Sequence, residues 1–255
     1  MEISALASGS SGNCFYVEHN DSAVLIDAGI SSKQIVKRLC CIKKNPERIK
    51  AIFITHEHGD HTRGADVFSR QFQVPIYATR KTAKNCFLCL DEKLIHSIRN
   101  NESVNVEGMR IEAFSKPHNC ADPVSYNIYN DKKISVITDV GYVSKNIIKN
   151  ISDSDFLCLE SNHDEMMLEN GPYPHFLKKL IKSNQGHLSN FQAALGVLEF
   201  APSVLKNIML SHISRTNNKP ELALETFNFL LKERRDLHPK ITVSERETPT
   251  QLFKV

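Results

Sequence analysis

The sequence lacks the features that mark several special classes of protein. No apolar run approaches the about 18 residues that a membrane-spanning helix needs, so no membrane attachment is expected. The net charge is only +3 and the pI is near 8.4, short of the pI above about 9 that is typical of a dedicated nucleic-acid-binding domain. Any contact with nucleic acid should therefore be local, and the composition does not indicate an oligomeric state.

Cysteine is present, but it does not form the pattern of a disulfide framework or a zinc ribbon. The seven cysteines are scattered, and only Cys86 and Cys89 have Cys-x-x-Cys spacing, in a predicted amphipathic helix that would bury them in the core. The N-terminus has no charged segment followed by an apolar core and a cleavage site, so a cytoplasmic protein with reduced thiols is expected. Without repeats or linkers, residues 1–255 should form a single domain.

One stretch concentrates side chains that bind metal ions. A short apolar strand precedes the sequence HEHGDH at positions 56–61, which we call the ligand loop. In an extended segment His56 and His58 point the same way and can bind one ion. The glycine lets the backbone turn, so that Asp60 and His61 face a second ion about 3.5–4 Å from the first. This density of ligands predicts a two-metal site rather than a polar surface loop.

A two-metal site needs more ligands than this loop supplies. Three other predicted strands each lead to one such residue, namely 111–115 to His118, 134–138 to Asp139 and 207–211 to His212. A carboxylate can bridge two cations, and we assign that part to Asp139. Imidazole and carboxylate ligands suit two divalent ions, with zinc expected and manganese or iron as alternatives. The predicted ligands are His56, His58, Asp60, His61, His118, Asp139 and His212.

The pattern of the whole chain predicts an α/β protein. Strands are expected at 3–7, 15–18, 23–26, 51–54, 74–77, 103–107, 109–116, 124–130 and 133–138. Ser31 and Ser32 should cap a helix that ends near Cys41, and 61–71 should be a helix that begins at the metals. Beyond residue 140, helices and strands should alternate at 143–150, 155–159, 188–200, 206–210 and 221–233. Two sheets between helices are the natural architecture.

The sequence resembles the metallo-β-lactamase superfamily over nearly its whole length. That resemblance rests on the ligand loop and on the order of the ligands after it, which is a single His, a single Asp and a last His. Four segments are similar to the YycJ-type metallohydrolases, also called WalJ or VicX: residues 8–13, 159–164, 186–190 and 210–220. The resemblance implies an αββα four-layer sandwich and a hydrolase domain. It also implies a repair-type 5′ to 3′ exonuclease whose nucleic acid partner is DNA rather than RNA.

The chemistry expected of such a chain is metal-assisted hydrolysis of a phosphodiester. Two ions sharing Asp139 would lower the pKa of a bridging water towards about 7 and leave hydroxide as the nucleophile. Asp60 is counted as a catalytic residue as well as a ligand. His187 resembles the histidine that related nucleases place near the leaving oxygen, so it is the expected general acid, oriented by Glu160 or Asp164. The alternative is that His187 only caps the helix 188–200.

Three further polar features of the sequence are candidates for supporting roles. His163 either supports the metal ligands or binds a further ion, or it is simply a buried, hydrogen-bonded histidine. The segment 8–13 either presents Ser10 and Asn13 to a substrate phosphate or is only a turn. Arg215, just past the last ligand, is a candidate for phosphate binding because a guanidinium group suits that anion.

Other functions remain open at this stage. A small-molecule hydrolase of the same fold, acting on a lactone, thioester, β-lactam or cyclic phosphodiester, would share the metal ligands. An RNA-processing nuclease is a nearer alternative, but no long Gly/Pro-rich basic arm lies between His61 and His118, and the chain is too short for an inserted cap domain. A non-catalytic scaffold would normally have lost some of the ligands, and here all seven are present.

Overall fold

Strands and helices occupy most of the predicted segments in a computed structural model, which describes residues 1–86, 88 and 92–255. The strands are β1 (Glu2–Ala7), β2 (Cys14–His19), β3 (Ser22–Ile26), β4 (Ile49–Phe53), β5 (Ile76–Ala78), β6 (Ile95–Ser97), β7 (Ser103–Val106), β8 (Met109–Ser115), β9 (Val124–Tyr129), β10 (Lys133–Ile137), β11 (Phe156–Glu160), β12 (Asn207–Ser211), β13 (Lys240–Val243) and β14 (Phe253–Lys254). The α-helices are α1 (Ser32–Cys41), α2 (Gly59–Thr62), α3 (Ala65–Phe72), α4 (Arg80–Asn85), α5 (Lys145–Ser152), α6 (Glu165–Asn170), α7 (His175–Ile181), α8 (Asn190–Phe200) and α9 (Pro220–Leu231). Short 3-10 helices span Pro46–Arg48 and Glu92–Leu94.

Backbone contacts divide the chain into two units. The first unit consists of Met1–Ser115, Cys120–Asp131 and Glu245–Val255, and the second unit of Lys116–Asn119 and Lys132–Ser244. The sequence-based expectation that residues 1–255 form a single domain stays a prediction.

The first unit contains a seven-stranded mixed sheet in the order β14-β1-β2-β3-β4-β5-β6. β1 to β3 pair in antiparallel fashion, and β4 to β6 continue the sheet in parallel. Ile35 of α1 and Phe68 of α3 belong to the same buried cluster as Leu25 and Ile52 of the sheet. Burying each such side chain contributes about 1.5–3 kcal/mol, so β4, which leads into the ligand loop, is firmly held. β7, β8 and β9 form an antiparallel meander in this unit.

The second unit contains four parallel strands in the order β10-β11-β12-β13. α8 packs against both α5 and α9. Because neighbouring parallel strands end at the same edge, the residues that follow β10, β11 and β12 lie side by side. This edge carries several of the polar residues that the sequence analysis selected. Among the described residues, no helix combines the length and the apolar character needed to cross a membrane.

The predicted helix at 61–71 is wrong as a single element. α2 ends at Thr62 and α3 begins at Ala65, with Gly64 between them. The Gly64 N–H donates to the carbonyl of Ala28 at 2.8 Å, and a Cβ at this position would lie 2.0 Å from the Ile30 carbonyl oxygen. The close approach of the neighbouring loop therefore breaks the helix. Sequence periodicity does not reveal such a tertiary contact.

The helix predicted around the Cys-x-x-Cys pair is also shorter than expected. α4 ends at Asn85, so Cys86 lies just beyond it, and Cys89 lies outside the described residues. Cys86 is half-buried against the core of the first unit, and burial raises the pKa of its thiol to about 12. The core assignment is therefore confirmed for Cys86.

The contact between Gly29 and the ligand loop allows a test of how tightly the loop is packed. A Cβ on Gly29 would lie 1.6 Å from the Asp60 carbonyl oxygen, so we predict that Gly29→Ala lowers the free energy of unfolding by about 1–3 kcal/mol or more. Gly59→Ala is the matched control, because a Cβ there would have no described atom within 4 Å beyond its local backbone, and its effect should stay below about 1 kcal/mol. Denaturant unfolding of both variants measures the difference, and equal stabilities would contradict the prediction.

Candidate metal centre

The ligand loop begins directly after the buried strand β4. His56 and His61 are fully buried, Asp60 is partly buried and His58 is exposed. His56 Nε2 lies 3.1 Å from His58 Nδ1, so the two nitrogens converge as the sequence predicted. Nitrogens at this separation match the edge of a tetrahedral zinc site, which is about 3.3 Å for Zn–N bonds of about 2.0 Å. The first unit thus contains a pair of donors that fits one divalent ion.

Asp27 is a buried carboxylate beneath the ligand loop that the sequence analysis missed. Its oxygens accept hydrogen bonds from the Thr55 N–H at 2.8 Å, from Thr55 Oγ1 at 2.9 Å and from His61 Nδ1 at 2.7 Å. Thr55 Oγ1 also lies 2.9 Å from His56 Nδ1. Because Nδ1 of His56 and Nδ1 of His61 are held this way, Nε2 is the nitrogen that each ring could offer to a metal ion. The signal was available, because Asp27 follows the apolar strand β3 just as Asp139 follows β10.

Asn13 supports the ligand loop from the glycine-rich turn. Its side-chain oxygen accepts from the Gly9 N–H at 3.0 Å, and its amide nitrogen lies 3.3 Å from Asp60 Oδ2 and 3.1 Å from His61 Nε2. The backbone N–H of Asn13 donates to the Asp60 carbonyl at 2.7 Å. Asn13 therefore has a positioning role that the sequence analysis did not foresee, whereas Ser10 is exposed at the tip of the turn. Phosphate binding by these two residues stays a prediction.

In the second unit, polar residues gather where parallel strands end. Glu160 is the last residue of β11, and Asp139 and His212 follow β10 and β12 closely. His212 Nε2 lies 3.4 Å, and His118 Nε2 3.8 Å, from Asp139 Oδ1. Donor atoms of Asp139, Glu160, His187 and His212 all lie within 4.8 Å of one another. We call these four residues, with His118, the strand-end cluster.

The backbone turns sharply after two strands of the second unit, at the candidate ligands Asp139 and His212. Asp139 and His212 each have a φ of 55°, and Asp27 in the first unit has a φ of 61°. This left-handed conformation costs an L-residue about 1–2 kcal/mol, although Asp, Asn and His tolerate it better than most residues do. The turn takes the chain out of the strand direction immediately after the ladder ends. Strain of this kind is typical of functional sites.

His118 is held as a neutral imidazole. Burial lowers its pKa to about 3, an effect that the nearby Asp139 carboxylate only partly offsets. Its Nδ1 lies 3.1 Å from the carbonyl oxygen of Gly186, which accepts the ring N–H and directs Nε2 towards Asp139. A neutral histidine with this orientation has the protonation state that metal binding requires.

Glu160 and His187 form a direct pair. His187 Nδ1 lies 2.7 Å from Glu160 Oε1, while Glu160 Oε2 accepts from the backbone N–H groups of Val140 at 2.7 Å and Leu188 at 3.3 Å. The residue that caps α8 is Ser189, whose side chain accepts from the Gln192 N–H, so the helix-cap alternative for His187 is wrong. Asp164 caps α6 instead of orienting His187.

His163 and Arg215 lie at other positions in the second unit. His163 is buried, and burial lowers its pKa to about 4. In the part of the chain that the structure describes, its Nδ1 has no hydrogen-bond partner. Within residues 1–86, 88 and 92–255, the ligand groupings do not include His163. Arg215 is exposed three residues after His212. The proposed roles of these two residues remain predictions.

Comparisons with known proteins connect this geometry to one family. Residues 22–213 match the family model described as a beta-lactamase superfamily domain. Exodeoxyribonuclease YycJ of Bacillus anthracis is 35% identical over 240 residues, covering 92% of this chain and 90% of that protein. Exodeoxyribonuclease WalJ of Streptococcus pneumoniae is 37% identical over 229 residues, covering 88% and 85%.

A solved structure shares the fold. The metallo-beta-lactamase fold protein YhfI from Bacillus subtilis matches with a TM-score of 0.73 over 98% of both chains, at 12% sequence identity. The predicted metallo-β-lactamase fold class is thereby confirmed.

The contacts of Asp27 predict its effect on metal binding. Asp27→Asn keeps the size of the side chain but removes the charged acceptor of the His61 Nδ1–H, so we expect zinc affinity to fall about 10–100-fold while the protein stays folded. A competition titration against a chromogenic zinc chelator measures the affinity. Asp21→Asn is the matched control, because the Asp21 side chain is 91% exposed. Equal zinc affinity in the two variants would refute the role of Asp27.

Proposed function

Because the chain belongs to the beta-lactamase superfamily, and within it to the group of the YycJ and WalJ proteins, we propose that it is a metal-dependent exodeoxyribonuclease. The observation that carries the proposal is the identity of 35% to a protein named exodeoxyribonuclease, over 92% of this chain and 90% of that one. Similarity along nearly both full lengths supports a shared activity better than a shared ligand loop alone does. The 5′ to 3′ direction, the role in DNA repair and the cytoplasmic location predicted from the sequence belong to this proposal.

The proposed cofactors are two divalent metal ions, with zinc expected and manganese or iron as alternatives. The proposed ligands are His56, His58, Asp60, His61, His118, Asp139 and His212. Their donor atoms fit this purpose, since imidazoles and carboxylates are the ligands that such ions take in hydrolytic sites. The hydrogen bonds of Asp27 and of the Gly186 carbonyl to ligand imidazoles add support. When bound, the ions would activate water and offset the charge of the phosphate.

His187 is the proposed general acid. The Glu160 carboxylate accepts the Nδ1–H of His187 at 2.7 Å, and its second oxygen accepts two backbone N–H groups, so its position is well defined. A carboxylate at this distance stabilises the imidazolium form. His187 can then give the Nε2 proton to the leaving alkoxide oxygen while Nδ1–H remains bound to Glu160. His187 is 21% exposed, so its ring is accessible to substrate.

The general-acid role predicts a loss of rate without a loss of metal. His187→Gln should lower kcat about 10²–10⁴-fold with unchanged metal content, because general acid catalysis contributes that much. His175→Gln, at an exposed histidine at the start of α7, is the control and should keep full activity. Hydrolysis of a substrate with an acidic leaving group should depend much less on His187. Equal losses on activated and ordinary substrates would contradict the assignment.

The metal-ligand assignment predicts the behaviour of an Asp139 variant. Purified protein should carry close to two equivalents of zinc or manganese, and Asp139→Asn should abolish phosphodiester hydrolysis and lower the metal content. The fold should survive, because Asn adopts the left-handed conformation as readily as Asp does. Elemental analysis measures the metal content, and circular dichroism shows whether the fold is retained. Full activity of a correctly folded Asp139→Asn protein would overturn the metal mechanism.

A substrate panel separates the proposed nuclease from the alternatives. End-labelled double-stranded DNA, single-stranded DNA and RNA are compared with a lactone, a thioester, a β-lactam and a cyclic phosphodiester at equal enzyme concentration. Preferential degradation of 5′-labelled DNA supports the proposal. Turnover confined to the small molecules would refute it, and preference for RNA would favour an RNA-processing nuclease.

Arg215→Gln and Ser10→Ala should weaken DNA binding if these residues contact phosphate.

A further inference from the structure

A sulfur atom lies beside two of the proposed metal ligands in the first unit. Cys120 Sγ is 3.8 Å from His58 Nδ1 and 3.6 Å from His58 Nε2. His58 Nδ1 is in turn 3.1 Å from His56 Nε2, and one donor atom from each residue lies within 4.8 Å of the other two. We call His56, His58 and Cys120 the His–His–Cys cluster. Cys120 was noted in the sequence only as one of seven scattered cysteines.

The chain around Cys120 is anchored to the ligand loop. The backbone N–H of Ala121 donates to Glu57 Oε1 at 2.8 Å, and Glu57 is the residue between the two histidines of the cluster. The N–H of Val124 donates to the Thr55 carbonyl at 3.0 Å. The carbonyl of Asp122 accepts from Thr79 Oγ1 at 3.2 Å. Three separate contacts therefore hold the segment that carries the sulfur next to the histidines.

Two of the three donor–donor distances in this cluster match those around a single metal ion, and the third is below 4.8 Å. A tetrahedral zinc ion with Zn–N bonds of about 2.0 Å and a Zn–S bond of about 2.3 Å has an N···S edge of about 3.5 Å and an N···N edge of about 3.3 Å. The observed 3.8 Å and 3.1 Å between the corresponding atoms are each within about 0.3 Å of these edges. Small rotations of the side chains would complete the geometry.

We propose that Cys120 is a sulfur ligand of the metal ion that His56 and His58 bind. The inference rests on the proposed function, which supplies the ion. On binding, the thiol releases its proton to solvent and the thiolate donates an electron pair to the ion. A thiolate favours zinc or cobalt over manganese or magnesium, so this residue would set the metal preference of the enzyme.

Substitution of cobalt(II) for the native ion tests the proposal by spectroscopy. Cobalt bound to histidines gives visible d–d bands, and a thiolate ligand adds a charge-transfer band in the near ultraviolet. We expect both sets of bands in the wild-type protein, and Cys120→Ser should keep the d–d bands and lose the charge-transfer band. Cys41→Ser is the matched control, because Cys41 is exposed at the end of α1, and it should keep both.

The possible results separate the inference from the proposed function. Wild-type d–d bands without a charge-transfer band, or a charge-transfer band that survives in Cys120→Ser, would overturn sulfur ligation and leave the metal-dependent hydrolase standing. Complete absence of cobalt bands would overturn the metal site and the inference together.

Thiol alkylation provides a second readout that needs no substitution. Zinc should protect Cys120 of the wild-type protein from iodoacetamide by at least about tenfold in rate, because a coordinated thiolate is a weaker nucleophile than an uncoordinated one. Peptide mass spectrometry measures the modification at each cysteine. Cys41 in the same sample should react at the same rate with and without zinc. Equal reactivity of Cys120 in the two conditions would contradict the proposal.

Discussion

The buried carboxylate of Asp27 is the contact on which the ligand loop depends. It accepts three hydrogen bonds from Thr55 and His61. Thr55 Oγ1 in turn contacts His56 Nδ1 and so helps to orient that ring. A charged group that is fully buried is stable only when such donors surround it. The same bonds leave Nε2 of His56 and His61 as the nitrogen that a metal ion could bind. The order of the loop therefore originates in a residue that lies 29 positions before it in the chain.

The strand-end cluster obeys a different constraint. Parallel pairing of β10, β11 and β12 brings the ends of these three strands to one edge of the sheet. In this register Ile137 lies opposite Leu159, and Glu160 lies opposite Ser211. Side chains that follow these strands become neighbours without any sequence similarity between them. Hydrogen bonds from the backbone of Val140 and Leu188 then hold Glu160 in place. The order of the strands thus brings the side chains of the strand-end cluster close together, and backbone N–H donors orient the Glu160 carboxylate.

Much of this arrangement was predictable because it depends on local sequence. The apolar run before the ligand loop predicts β4, and the alternation of strands and ligands predicts the positions of Asp139 and His212. Family resemblance implied an acidic partner for His187 and left Glu160 and Asp164 open, and the structure places Glu160 beside it. Asp27 has the same strand-then-carboxylate pattern, but its role depends on hydrogen bonds to Thr55 and His61, which are distant in the sequence. The break at Gly64, the bonds of Asn13 and the position of Cys120 depend on contacts between distant segments, which periodicity does not encode.

The left-handed backbone at positions 27, 139 and 212 has a consequence for how such a chain changes over generations. Asn and Gly adopt this conformation at little cost, whereas a β-branched residue would have to reshape the end of its strand. A substitution that removes the Asp or His side chain at one of these positions should therefore leave the end of the strand undisturbed when Asn or Gly replaces it. The chemistry of these positions can thus be lost while the strands that lead to them stay intact.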